Sequence, residues 1–462
     1  MLIKNTRAID RILSILLALI IILSSLSSCI ALRKPAGSRE EIEANVTQST
    51  ANRTYAYQYL SLWGVPAFDN AKFFYFENIV TSCYNYSELP AVREHAKMTV
   101  NYFLEYYYSK IDLSNKTAVT DALLTCYVAV LGDRYSLYRE PVETENYQAD
   151  MSGKFGGIGV MVEYDHDNEQ ISVSSVLIGS PAEAAGIKAG DLICLVDGKS
   201  VEEIGYLNVV SHVRGEISTS VDLTVMRDGK YITFNIIRSE IDDTNVYYEI
   251  DDETGFGYVQ IISFKSNTYA QFTKAIDELE NAGVKGVIFD LRGNPGGYVS
   301  SVCNVISYIM PTGYTVVTYQ QRGKSITERK TQPDGFTDHV LDLPMVIICD
   351  ENTASASEIF TSAIRDYRNS NLINATIVGT TTFKKGILQT EYSYIDGSTV
   401  TLTTAFYCPP SGVNYHGVGI TPDVYVELPQ AELDEETGKY LPVEDTQLNA
   451  AIEELEKLVN AN

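Results

Sequence analysis

Hydrophobic spacing changes several times along the 462-residue chain. Residues 12–26, ILSILLALIIILSSL, are apolar almost without a break, and Lys4, Arg7 and Arg11 precede them. Such a run is short for a spanning helix and fits the core of a signal peptide. Residues 29–52 are polar with weak periodicity and read as a tether. From 53 to about 140, apolar residues recur every three to four positions, as in AVREHAKMTVNYFLEYYYSKI and KTAVTDALLTCYVAVLG. That spacing predicts helices. Their many tyrosines form either core or a binding surface.

From 153 the texture becomes short β-branched runs between glycine turns: GKFGGIGVMVEYD, then ISVSSVLIGSPAEAAGIKAGDLICLVDGKSV, SVDLTVMRDG and YITFNIIRS. Pro181 opens a short helix, and Gly186 and Gly190 turn the chain into the next strand. The segment 206–214 is a second helix candidate. Beyond 253, strand-like GFGYVQIISF, VKGVIFD, YTVVTYQQRG and LPMVIICD alternate with amphipathic TYAQFTKAIDELENAG, YVSSVCNVISYIM and SEIFTSAIRDY. Alternation of this kind predicts a mixed α/β domain. A last helix is expected in EDTQLNAAIEELEKLV, 444–459. The whole reads as a multidomain α+β chain: leader 1–28, tether 29–52, helical N-terminal region 53–152, β-rich domain 153–240, α/β core 241–428, and a C-terminal segment with a helix at 429–462.

Charge narrows the function classes. The formal net charge is −25 and the pI about 4.6, which argues against nucleic acid as a partner. Seven cysteines form no CxxC pair and five histidines are scattered, so neither a metal site nor a cofactor is expected. Cys126, Cys194, Cys303 and Cys349 lie in apolar runs and read as small buried hydrophobes. The apolar leader ends in LSSC, Leu26 to Cys29, similar to the bacterial lipoprotein processing box. That likeness implies export to the bacterial cell envelope, with lipid on Cys29. Left uncleaved, the leader would be an N-terminal membrane helix.

Candidate chemistry gathers in three stretches. ENTASASEIF, 351–360, joins an apolar strand to a helix. Its hydroxyls are either helix caps or a nucleophile at a helix N-terminus, where N–H groups can face a reacting carbonyl. A serine nucleophile needs a base. His95, His166, His212, His339 and His416 all lie in surface-like or packing contexts, and the G-x-S-x-G elbow is absent. A lysine serves if desolvation or nearby cations keep it partly neutral. TTFKKGILQ offers Lys385, with Gln389 four residues on; a neutral amide can orient an amine without fixing its charge. The residues alone leave Ser355 and Ser357, and Lys384 and Lys385, as alternatives. Glu358 is either a hydrogen-bonding group near the site or a charge favoured at a helix start. Asp290 in DLRGNPGG reads as a brace of a tight loop, and Arg292 as either a structural ion-pair partner there or a substrate-binding group.

Two resemblances order these residues. Residues 153–240 resemble a PDZ domain through FGGIGV and GSPAEAAGIKAGDLI. The likeness implies that Gly156, Gly157, Ile158 and Gly159 hold a peptide carboxylate while the tail adds as a strand. Residues 110–460 are similar to the C-terminal processing peptidases, or tail-specific proteases, a Ser–Lys class with an inserted PDZ domain. The motif S-A-S-A-S-E matches 353–358, F-G-K-G-x-x-Q matches 383–389, and D-L-R-x-N-x-G-G matches 290–297. FYCPPSGVNYHGVGITPDV resembles the block ending in G-x-G-I-x-P-D. The resemblance implies a serine endopeptidase with Ser355 as nucleophile, Lys385 as base and Gln389 orienting it. Gly296 or Gly297, with Ala356, would form the oxyanion hole. Expected partners are unfolded or tailed proteins and peptide C-termini, with a regulatory partner or self-association left open. Lys384 departs from the pattern, since the family has glycine there. The competing readings are a non-enzymatic PDZ adaptor with a degenerate protease fold, and a self-compartmentalising or lipid-binding homologue.

Overall fold

The computed structural model describes residues 68–84, 92–165, 170–205, 208–321, 323–332, 339–429, 433–434, 439–440 and 443–461. The expected leader, tether and Cys29 lie outside the described residues, as does His166. No helix among the described residues is long and apolar enough to cross a membrane. The described residues fall into two compact units. One combines 68–148, 285–427 and 447–461; the other combines 149–284 with described residues of 428–446.

In the first unit, four strands run parallel in the order Val287–Asp290, Met345–Cys349, Ala375–Gly379, Val424–Tyr425. Every side chain of Met345–Cys349 is buried, which is why LPMVIICD has no polar alternation. The helix Ala356–Asn369 follows this strand, and Phe360 meets Phe289 of the neighbouring strand at 5.7 Å between ring centroids. The loops after the first three strands leave from the same edge of the sheet. Adjacent parallel strands thus bring 291–298, 350–355 and 380–386 together, although the first and last are some ninety residues apart. Loops at the carboxyl ends of parallel strands are where such sheets carry their sites.

A second, antiparallel sheet is centred on Thr399–Cys408. That strand pairs with Leu137–Arg139, Thr315–Gln321 and Ile387–Ser393. The helices Asn70–Cys83, Val92–Tyr106 and Lys116–Ala129 pack on it. Phe73, Phe76, Phe103, Leu123 and Leu124 share one apolar cluster with Val400 and Leu402. The aromatic stripe is therefore core, and the helical region shares that core with the central strand. Asp69 and Asn115 cap two of the helices through their side chains. Buried Lys72 is paired with Asp121 and Asp396, each at 2.7 Å.

The second unit contains the strands Val160–Asp165, Gln170–Val176, Leu192–Val196, Ser220–Arg227 and Lys230–Ile237, hydrogen-bonded in that order. Pro181–Ala185 is a short helix, capped by Ser180 and ended by Gly186 at φ 89°. Of the expected helix at 206–214, Val209–Val213 is helical, and 206–207 lie outside the described residues. Ile158, Val173, Ile193, Val209, Val221 and Leu223 belong to its core. Lys154–Gly157 and Ser239–Asp242, the chain entering and leaving this sheet, pair as a ribbon. Lys265 joins Asp150 and Asp243 beside that ribbon, at 2.8 Å each.

Candidate active site

Ser355 is the hinge between strand and helix. Its φ is 57° and ψ −114°, a conformation costly for a residue with a Cβ. Such strain follows from the sharp reversal needed to present a side chain at a helix start. The G-x-S-x-G motif is absent, but a strained strand–turn–helix serine is present all the same. Ser355 is half-buried, whereas Ser357 is fully buried and donates to the Asn294 carbonyl at 3.1 Å. Ser357 is thus committed to packing, and Ser355 is the more accessible of the two hydroxyls.

The glycine loop is stitched to this turn. Ala354 N–H donates to Asn294 O at 2.9 Å, and Thr353 Oγ1 donates to Leu291 O at 2.8 Å. A Cβ on Gly296 would lie 2.7 Å from both Ala354 O and Ser355 Cβ, and 2.8 Å from Ala356 N. No other residue fits there. Of the two alternatives expected for the oxyanion hole, Gly296 has an N–H that already donates to Asn294 Oδ1 at 2.9 Å. Among the described residues, the N–H groups of Gly297 and Ala356 have no acceptor. They are the candidate donors of this turn. Fully buried Asp290 accepts from Arg292 N, Nε and Nη2, which sets the start of the loop.

Lys385 comes from the third loop. Burial lowers its pKa from the ordinary lysine range to about 8. Glu358 and Asp133 oppose that shift, and Arg134 assists it. Its Nζ lies 4.8 Å from the centroid of the Tyr135 ring. The neighbouring cation Lys384 is exposed, and the cation that lowers the Lys385 pKa is Arg134. Gln389 sits on Ile387–Ser393 opposite Thr403, just past a bulge, and its Nε2 donates to Thr403 Oγ1 at 3.3 Å. With the amide nitrogen so used, its carbonyl is the end free for an amine.

Two further residues join the candidate serine and lysine. Glu358 is fully buried, and its Oε2 accepts from the N–H of Ser355 at 3.0 Å and of Lys385 at 2.8 Å. Its Oε1 accepts from Lys384 N–H at 2.8 Å and from Thr382 Oγ1 at 2.7 Å. Burial raises the Glu358 pKa, and these four donors pull it back. The S-x-x-E spacing of a capping box was the readable signal for its bond to Ser355; the bonds to 382–385 had none. Buried Tyr407 donates to Lys385 O at 2.5 Å, and burial pushes its phenol up. Nothing in the sequence sets Tyr407 apart from the other tyrosines. His416 accepts from Gly386 N–H at 3.3 Å through Nδ1 and is lowered by burial. His95, His212 and His339 each bond a main-chain carbonyl.

The second unit carries the other predicted set. Gly156 and Gly157 lie in the ribbon, opposite Glu240 and Ser239. Ile158 is core, and its carbonyl accepts from Ala182 N–H at 2.8 Å. Gly159 has φ 79° and accepts from Leu177 N–H at 2.9 Å. Among the described residues, the N–H groups of Ile158 and Gly159 have no acceptor. Val160–Asp165 pairs only with Gln170–Val176 in its sheet, so it is an edge strand, as strand addition requires.

Comparison with known proteins agrees with this geometry. A family model described as Peptidase family S41 matches residues 255–426, and one described as PDZ domain matches 148–226. The "Probable CtpA-like serine protease" of Staphylococcus haemolyticus (strain JCSC1435) is 35% identical over 337 residues, 73% of this chain and 64% of that protein. The "Carboxy-terminal processing protease CtpA" of Bacillus subtilis (strain 168) is 36% identical over 324 residues, 70% of this chain and 66% of that protein. The match thus spans just under two thirds of each relative's length. The solved photosystem II D1 C-terminal processing protease is 26% identical, covering 77% of this chain and 92% of its own, with a TM-score of 0.44. With a segment matching Peptidase family S41 preceded by one matching a PDZ domain, and processing proteases as its relatives, the chain is similar to the C-terminal processing peptidases.

Proposed function

We propose that the chain is an exported serine endopeptidase that cuts unfolded or tailed proteins at or near their C-termini. The carrying observation is Lys385, an amine held near pKa 8 by burial and tied through Glu358 to the turn that presents Ser355. A neutral amine at that pH can take a proton from a hydroxyl.

In the proposed reaction Ser355 Oγ attacks the scissile carbonyl carbon while its proton passes to Lys385 Nζ. The carbonyl oxygen, now an anion, faces the N–H groups of Gly297 and Ala356. The C–N bond then breaks, and the leaving amine takes the proton from Lys385. Water attacks the acyl-enzyme, Lys385 again accepting a proton, and the ester bond to Ser355 breaks as Ser355 Oγ takes that proton from Lys385, which releases the new C-terminal carboxyl group and restores the free enzyme. Gln389 orients the amine through its carbonyl. No metal or cofactor takes part.

In this reading residues 1–28 are a leader, and 29–52 tether the chain to the bacterial envelope through lipid on Cys29. Residues 53–152 form the helical region, 153–240 the PDZ domain, 241–428 the peptidase core and 429–462 the tail segment. The donors of Ile158 and Gly159 receive the substrate's C-terminal carboxylate. Mass spectrometry of the mature N-terminus tests the lipid; an unmodified chain starting at Met1 replaces it with a membrane helix. Cleavage of matched peptides with free and amidated C-termini tests the carboxylate site, and equal rates reject it.

The central test is cleavage of an unfolded, tailed protein. S355A and K385A are each expected to lower turnover by about 1,000-fold or more with the fold retained. The wild-type rate should climb with pH through about 8, because only unprotonated Lys385 is a base. Full activity in K385A with none in K384A moves the role to the neighbour.

A further inference from the structure

We propose that Arg134 is a specificity-determining residue that receives a substrate carboxylate at the mouth of the active site. The inference rests on the peptidase reading above and adds a substrate class to it.

The loop carrying Arg134 is built to leave that cation unspent. Asp133, the nearest acid in sequence, is used within its own loop: Oδ1 accepts from Tyr135 N–H at 3.0 Å and Oδ2 from Ser136 Oγ at 2.7 Å. Ser136 Oγ in turn accepts from Thr403 N–H at 3.0 Å, which fixes the loop to the strand opposite Gln389. Arg134 is exposed and forms no ion pair among the described residues, in a chain with a net charge of −25. It is nevertheless held in place. Its guanidinium carbon lies 4.7 Å from the Tyr135 ring centroid and 5.5 Å from that of Phe383, and one Nη donates to the Tyr135 hydroxyl. Aromatic faces hold a guanidinium without consuming its donors. The remaining N–H groups form the fork that fits a carboxylate.

The position ties this cation to the chemistry. Tyr135 is shared: Arg134 lies over its ring, and so does the Lys385 ammonium at 4.8 Å. Phe383, 38% exposed, stands two residues before Lys385. A carboxylate on Arg134 would therefore lie one aromatic ring from the base. Two substrate groups carry that chemistry, an acidic side chain near the scissile bond or the free C-terminus of a short leaving fragment.

Charge coupling supplies a second readout. The groups acting on Lys385 are Glu358 and Asp133, which raise its pKa, and Arg134, which lowers it; His416 is held beside it at Gly386. A bound carboxylate offsets Arg134, so the rate with such a substrate should rise at higher pH than with a neutral one.

The test uses the full chain and amidated peptides in which glutamine is replaced by glutamate, one position at a time, on both sides of the cleavage site. A parallel set has only a free C-terminal carboxylate. One arm is expected to raise kcat/KM about tenfold over the neutral peptide, a charge-assisted contact's worth. In R134Q that ratio should fall to within about twofold, and in R134K it should be partly kept, since a point charge lacks the fork. An unchanged ratio in R134Q, or no preference in the wild type, overturns the proposal. Cleavage of the neutral peptide by wild type but not by S355A upholds the peptidase reading in either case. If the wild type cleaves nothing, that reading fails. Binding of the same peptides to S355A and to S355A/R134Q then decides the carboxylate site, and equal binding rejects it.

Discussion

The segments 293–297 and 156–159 each carry adjacent glycines, and each spends them in two ways. In the first, Gly296 makes room: its missing Cβ lets Ser355 and Ala356 approach to within 2.8 Å of where that atom would be. Its own N–H is used internally, and the free donor is the next one, on Gly297. In the second, a Cβ on Gly156 would lie 2.0 Å from the Gly215 carbonyl, and the Gly156 carbonyl accepts from Gly215 N–H at 3.0 Å. The free donors again come later, on Ile158 and Gly159. They differ in what the close approach serves. At Gly296 the neighbour is the candidate nucleophile; at Gly156 it is the domain's own backbone. A glycine pair thus signals proximity, and the donor follows the residue that makes the space.

The largest effect should separate the two. G296A pushes a methyl into Ala354 O and Ser355 Cβ, neither of which can yield, and should lower kcat by about 100-fold or more. Binding of a free-carboxylate peptide should persist in that variant. G156A should do the reverse, losing peptide binding while short-peptide cleavage continues. Wild-type turnover in G296A would break the comparison.

Next in size is the clamp that holds the two candidate catalytic loops. Glu358 meets four donors and no acceptor, so an amide in its place turns an NH2 toward at least one of them. E358Q should cost about 10- to 100-fold in kcat by displacing one partner. Because the Glu358 charge raises the Lys385 pKa, its removal should also move the rise of the pH–rate profile below about 8. A profile displaced upward would show solvent entry rather than lost charge.

Legibility follows the same division between local and distant chemistry. The helix Pro181–Ala185 with its Ser180 cap and Gly186 end is written in consecutive residues, and so is the strand ending at Cys349. Motif spacing singles out Ser355, Lys385 and Gln389 as candidates. Tyr407 and Asn294 act through contacts that carry no such signal, Tyr407 to the Lys385 carbonyl and Asn294 from the Ser357 hydroxyl, because each is made only when distant parts of the chain meet. Gly296 and Gly297 stay alternatives in the sequence, because motifs record where a glycine stands and not which of its atoms is free. Lys384 stands out as a departure from the motif, but the bonds its backbone makes to Glu358 and Gly417 carry no sequence signal.

A smaller effect concerns stability. The folded pKa of Lys385 lies below its unfolded value, so below about 8 both states are protonated and the fold bears the full cost of the buried ammonium. Between about 8 and the unfolded value near 10.4 the folded state alone sheds the proton, and the cost declines. K385M should therefore be more stable than wild type at pH 7, by at most about 3 kcal/mol. The gain should shrink in denaturation curves as pH rises through 8 to 10. A gain independent of pH would mean packing, not charge, sets it.

The smallest effect lies at Lys384. Its φ is 82°, in the left-handed region, at the position where the motif F-G-K-G-x-x-Q that this stretch resembles has glycine. The side chain is exposed, while the backbone is fully used: its N–H donates to Glu358 Oε1 and its carbonyl accepts from Gly417 N–H at 3.0 Å. Glycine keeps both bonds and removes the Cβ that makes this φ costly. It also gains entropy when unfolded, so the two effects oppose each other. Left-handed strain of about 1–2 kcal/mol against about 0.4–1 kcal/mol for the freer unfolded chain leaves K384G more stable by roughly 0.5–1 kcal/mol. The urea midpoint should rise by the corresponding amount, with the m-value unchanged. Turnover should stay within about twofold, because the cation that lowers the Lys385 pKa is Arg134. A destabilised K384G would mean that the exposed chain, and not its backbone, holds the turn.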